Sequence, residues 1–160
     1  MHPKVVTPAV LHHIRSVIAE ADAPSWLSTV PYNYGDPAAG TMKADEWRAL
    51  GTIYIPIALI SLWGTLDSSS TDAKDLLAQK LLRHTMLLVS AVILAMKNVI
   101  TKDRTAAYRE NIIAYIRDLS ELFPGSDART NHHVAVHIYD FMELFGPVKS
   151  WWCFPFERLI

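Results

Sequence analysis

Apolar residues in this chain recur three and four positions apart almost throughout, and no segment keeps the period of two that a half-buried strand needs. That pattern restricts the fold to helices packed on helices. Prolines, glycines and capping residues then decide where each helix begins and ends. Thr7 suits an N-cap and Pro8 a first turn, which predicts a helix to about Ala21 with Val10, Ile14, Val17 and Ile18 inward. Pro24 ends it. Pro24, Pro31, Pro37, Gly35 and Gly40 make residues 24–42 a long loop, with a turn of helix around Trp26-Leu27.

A second helix is expected from Lys43-Ala44-Asp45-Glu46, whose acidic residues favour a helix N-terminus, toward Trp63, kinked or split by Pro56. After the polar break at 64–71, Thr71 is read as the cap of a helix reaching about Asn98. Its nearly all-apolar centre calls for neighbours all round. Tyr108, Ile112, Tyr115, Ile116, Leu119, Leu122 and Phe123 form the next stripe, opposite Arg109, Glu110, Arg117 and Asp118, and Pro124-Gly125 stops it. The last complete helix runs from about Asn131 to Gly146, with Val134, Ile138, Phe141 and Phe145 assigned to the core side. The expected fold class is all-α: an irregular bundle of about five to six helices, with a long N-terminal Pro/Gly loop and an aromatic-rich C-terminal tail.

A chain of 160 residues suits one domain, read here as 1–160 with a first helix in 1–23, a loop in 24–42 and a main helical region in 43–160. A net charge of −1 lacks the cationic surplus that phosphate neutralisation requires, so a strongly basic nucleic-acid module is excluded. Cys153 is the only cysteine, which excludes an internal disulfide and a Cys-rich zinc site. The start, Met1-His2-Pro3-Lys4, does not resemble a secretory leader, and an intracellular location is expected. Two apolar runs, 53–63 and 86–96, have eleven residues each against the roughly 20 of a membrane span, so buried core helices and no membrane are expected.

Four of the sixteen aromatic residues, Trp151, Trp152, Phe154 and Phe156, fall in the last ten positions. Apolar area of that size calls for cover by a protein partner, a second copy or the rest of a larger chain. The sequence also stops three residues after Glu157, where a new helix is expected to start, which reads as a fragment.

His133, His137 and Asp140 stand at i, i+4 and i+7, on one flank of the last helix, and two imidazoles with a carboxylate make a candidate metal-ligand set. The competing reading has the histidines bridging the helix start to a neighbouring loop and Asp140 hydrogen-bonding His137. His12, His13 and His84 carry no ligand pattern, and surface or interhelical hydrogen bonding is their default. Ser68-Ser69-Ser70 lacks the turn that exposes a nucleophile and reads as a polar loop. Cys153, among aromatics, reads as inert packing. Between residues 97 and 118, five cations face three anions, a surplus explained equally well by a solvated helix face and by a grazing phosphate contact.

One ordered series goes further: Pro24-Ser25-Trp26, Pro31-x-x-x-Gly35, Gly40-x-x-Lys43-Ala44-Asp45-Glu46-Trp47-Arg48, Pro56-Ile57-x-Leu59-Ile60-x-Leu62-Trp63, Leu122-Phe123-Pro124, Asn131-His132-His133-Val134-Ala135-x-His137, and Gly146-Pro147-Val148 through Phe154-Pro155-Phe156-Glu157-Arg158. It resembles the helical region of transposase-derived proteins of the En/Spm (CACTA) type, especially fungal copies, from about Leu11 to Ile160. The resemblance implies cut-and-paste DNA transposition by a parent enzyme with an RNase-H-like fold, in which three carboxylates hold two divalent ions, Mg or Mn. It further implies that this chain is the helical C-terminal part, without the β-rich core that supplies the first two aspartates. Glu157 becomes the candidate third carboxylate, against the plainer role of complementing a helix dipole. No cofactor is expected for this chain alone, DNA contact only through the parent, and nuclear location only by the resemblance. Three readings follow: a non-catalytic transposase segment, a stand-alone interaction module using the surface from Trp151 to Phe156, and a His/Asp metal-dependent hydrolase.

Overall fold

The computed structural model describes residues 7–67, 69–125 and 129–152, and within them six α-helices follow one another without a strand. The chain is all-α, as its periodicity demands. Helix α1 (Pro8–Glu20) starts as expected, with Thr7 Oγ1 accepting the Val10 N–H at 3.4 Å, and it buries Ile14 and Ile18. The loop beyond it is tied back to α1. Arg15 Nε–H donates to the Tyr34 carbonyl at 2.8 Å, and the Tyr34 ring meets Trp47 edge-on at 6.1 Å. Gly35 has φ +78°, and a Cβ there would stand 3.3 Å from Leu11 Cδ1, so glycine meets both the conformation and the close approach. A 3₁₀ turn, Pro37–Ala39, is capped by Asp36.

Helix α2 (Ala44–Ala49) begins where the Glu46 carboxylate accepts the Lys43 N–H at 2.7 Å, half of a capping box. The expected kink at Pro56 takes a different form. A π-helical segment, Leu50–Tyr54, lies between α2 and α3 (Ile55–Trp63), with the Ile55 N–H reaching back five residues to the Leu50 carbonyl. Widening the turn there places Pro56 in the first turn of α3, where its missing N–H leaves no bond unmade. Leu50 and Ala58 are fully buried, and with Ile14, Ile18, Val30, Ala49 and Tyr54 they form the first apolar cluster.

Helix α4 (Ala73–Ala95) is capped by Asp72, not by Thr71: Asp72 Oδ1 accepts the Lys74 N–H at 2.7 Å and the Asp75 N–H at 3.4 Å. A carboxylate directly before the first turn reaches those amides and favours the dipole. Nor is α4 surrounded. It buries Ala78, Leu81, His84, Val89, Ala91 and Ala95, while Leu76 and Ile93 are exposed. Only 28% of its most apolar window is buried, and by length and composition the helix is sufficient to cross a membrane.

Contacts sort into two units, Met1–Leu82 and Arg83–Ile160, where a single domain is expected from length. Each unit has an apolar cluster of its own. In the second, α5 (Lys102–Leu122) starts at Thr101, whose Oγ1 accepts the Arg104 N–H at 3.3 Å. Tyr108 and Ile112 are buried with Ala91, Ala95 and Met142, and Tyr115 and Ile116 pack against them, which matches the predicted stripe. Phe123, at its end, is exposed.

The orientation of α6 (Thr130–Phe145) differs from the sequence expectation. Ala135, Ile138, Tyr139 and Met142 face the cluster, whereas Val134, Phe141 and Phe145 are 48%, 38% and 62% exposed. Two apolar stripes overlap on this helix, and neighbouring α5 selects between them. The Tyr108 hydroxyl donates to the Ala135 carbonyl at 2.6 Å, which fixes Ala135 on the covered side. Burial pushes the Tyr108 pKa up to about 12, so the phenol remains a donor.

Candidate functional site

The outward surface of α6 carries His133, His137 and Asp140 of the residues singled out in the sequence, together with a row of apolar side chains. Val134, Phe141 and Phe145 recur at i, i+7 and i+11 along one stripe, and Leu144, 72% exposed, lies beside them. Phe141 packs edge-on against Trp151 at 5.7 Å and meets Phe145 at 6.1 Å. Trp151 is carried there by the turn after α6. Gly146, at φ 78°, ends the helix, a 3₁₀ turn follows at Val148–Ser150, and Trp151 Nε1–H donates to the Gly146 carbonyl at 3.2 Å. Trp152 is half-buried, and its backbone N–H donates to the Val148 carbonyl at 3.0 Å. Of the proposed interface, Trp151 and Trp152 are thus placed, and Trp151 joins the α6 stripe. Phe154, Phe156, Cys153 and Glu157 lie outside the described residues, as does Ser68.

On the next flank of α6, the His133 and His137 rings are 4.7 Å apart at 74°, and His137 Nδ1 stands 3.0 Å from Asp140 Oδ2. All three side chains are exposed. A carboxylate only accepts, so Nδ1 of His137 donates and its Nε2 is the nitrogen left with a lone pair. Asp140 is therefore engaged by His137, as the plainer reading has it. Among the described residues, no three His, Cys, Asp or Glu side chains converge on one metal-sized site. His132, one position earlier, accepts the Arg129 N–H on Nδ1 at 3.2 Å and completes the helix start.

Other candidates resolve into local structure. His13 Nε2 lies 2.8 Å from Ser61 Oγ. Ser69 donates both its N–H and its hydroxyl to Asp67 Oδ1 at 2.8 Å, and those bonds, the backbone one first, hold the Asp67 carboxyl below its usual range. Ser70 Oγ–H donates to Asp75 Oδ2 at 2.8 Å. Three of the five cations between residues 97 and 118 have partners nearby: Arg104 donates to the Val99 carbonyl at 2.6 Å, Arg109 sits 5.1 Å over the Tyr139 ring, and Arg117 pairs with Asp118 at 3.1 Å.

His84 departs from its default. It is buried, its ring stacks on Tyr115 at 4.3 Å with Phe123 at 5.9 Å, and its Nδ1 has no hydrogen-bond partner. Burial lowers its pKa, opposed by the charge of Asp118. The spacing Leu81, His84, Leu88, Ala91, Ala95 was the clue, because a polar residue within a core stripe inherits the stripe's burial.

Compared with known proteins, the chain matches no family model, no curated protein and no solved structure.

Proposed function

We propose that this chain is a non-catalytic helical segment of a transposase-derived protein, and that its task is to hold other protein surface through the outer face of α6. The observation that carries the reading is the outward row Val134, Phe141, Leu144 and Phe145, continued by Trp151. Side chains of this size are costly to leave in water, and several of them on one outward side mark a contact surface more than a catalytic cleft. Support also comes from where the En/Spm-type series falls: Lys43, Pro56, Phe123, Gly146 and Pro147 occupy helix caps, first turns or the turn after α6. Those positions set chain direction and do no bond chemistry. The partner this face would hold is the nuclease core of the parent recombinase, which would supply the metal and the DNA contact.

Genomic sequence upstream of the coding stretch is expected to hold a frame with two strand-end aspartates that encodes that core. Co-expressed with it, the chain is expected to copurify, and Leu144→Asp with Phe145→Asp is expected to abolish copurification while leaving the helical content unchanged. Retention by the double variant would overturn the assignment of the α6 face. Cleavage of an end-labelled duplex by the purified chain alone in Mg²⁺ or Mn²⁺ would overturn the non-catalytic reading. A monodisperse oligomer that dissociates on Trp151→Ala and Trp152→Ala would instead favour a self-associating module.

A further inference from the structure

The geometry points to a two-histidine chelate for a divalent transition-metal ion on the exposed flank of α6, made by His133 and His137 with Asp140 as the orienting partner. Positions i and i+4 of a helix lie one above the other, so a rigid backbone holds both imidazoles on one side before any ion arrives. The ring separation fits a shared ion. With a metal–nitrogen bond of about 2.1 Å and about 1.1 Å from nitrogen to ring centre, two imidazoles meeting at roughly 90° to 110° place their centres about 4.5 to 5.2 Å apart. The observed separation is 4.7 Å.

Asp140 supplies the second element. By accepting the Nδ1–H of His137 at 3.0 Å, it selects the tautomer that presents Nε2 for ligation and raises the basicity of that nitrogen. Water completes the coordination, since no third His, Cys, Asp or Glu among the described residues joins the group. Two imidazole nitrogens select borderline ions in the order Cu²⁺ above Ni²⁺ and Zn²⁺, and they discriminate against Mg²⁺ and Ca²⁺, which require oxygen. The site is thus chemically unlike the Mg²⁺ or Mn²⁺ centre of a transposase, and it does not depend on the proposed function. The adjacent pair His12 and His13 has no such geometry, because neighbours at i and i+1 of a helix do not face each other.

The test uses the full-length chain without a purification tag, titrated with Cu²⁺, Ni²⁺, Zn²⁺ and Mg²⁺ while thermal unfolding and Cu²⁺ electron paramagnetic resonance are recorded. Saturable binding of one ion is expected, with two equatorial imidazole nitrogens in the copper spectrum and a melting temperature that rises with Zn²⁺ or Ni²⁺ and not with Mg²⁺. His133→Ala and His137→Ala, both at exposed positions, should each leave one nitrogen in the spectrum. Asp140→Asn should weaken binding by about tenfold while keeping both nitrogens. If His137→Ala binds copper with the wild-type affinity and spectrum, or if the wild type shows only one imidazole, the site does not exist.

Discussion

The face that α6 turns to the core is tested most directly by shortening one side chain on each of its two apolar stripes. Met142 is 1% exposed and touches the second cluster, whereas Phe145 is 62% exposed. Burying a methionine side chain contributes about 1.5–3 kcal/mol, and the cavity left by truncation adds to the loss, so Met142→Ala should destabilise by about 2–5 kcal/mol. Phe145→Ala removes a larger side chain but little buried area. Its cost should be about 1 kcal/mol or less, close to the range of surface substitutions. Urea unfolding followed by far-UV circular dichroism gives both numbers, and hydrogen exchange at α5 and α6 amides assigns them to the second unit. Should Met142→Ala fail to fold, Met142→Leu keeps the volume and is expected to cost less than about 1.5 kcal/mol. A larger loss for Phe145→Ala than for Met142→Ala would show that α6 is turned the other way, and the exposed stripe would no longer be a contact surface.

Three further outcomes are expected. Because burial depresses the His84 pKa, the unfolded chain takes up that proton first as the solution is acidified. Stability associated with neutral His84 is therefore complete above about pH 6.5 and is lost as pH falls through the lower folded-state value, by at most about 1.4 kcal/mol per pH unit. Urea titrations at several pH values should show a shallower acid loss for His84→Phe, which keeps the stack on Tyr115; identical pH profiles would refute the account. Tyr108→Phe removes one hydrogen bond, to a carbonyl that also belongs to a helix, and should cost about 1 kcal/mol in the same assay; a Phe variant as stable as the wild type would argue against the bond. Asp72→Ala should cost about 0.5–2 kcal/mol and Thr71→Ala less, since Asp72 is the residue that caps α4; the reverse order in chemical denaturation would return the cap to Thr71.

Local rules account for most of what the linear chain discloses. The all-α class, the start of α1 at Thr7 and Pro8, the acidic start of α2, and the inward stripe of α5 from Tyr108 to Ile116 all follow from the period of apolar residues and from caps a few positions away. Such interactions span one helical turn, so nothing distant is needed to decide them. The pairing of His137 with Asp140 was legible for the same reason, both residues lying within one turn.

Tertiary structure decided what local rules leave degenerate. The sequence reads Val134, Phe141 and Phe145 as the inward side of α6, and packing against Tyr108, twenty-seven residues from Ala135 in the chain, instead covers the side with Ala135, Tyr139 and Met142. Likewise, the π-helical segment before Pro56, the burial of His84 beneath Tyr115, and the meeting of Trp151 with Phe141 depend on which surfaces arrive opposite. Periodicity states that a helix has an apolar side; only packing, in which each residue must fit a neighbour remote in sequence, states which side is covered and which is left for a partner.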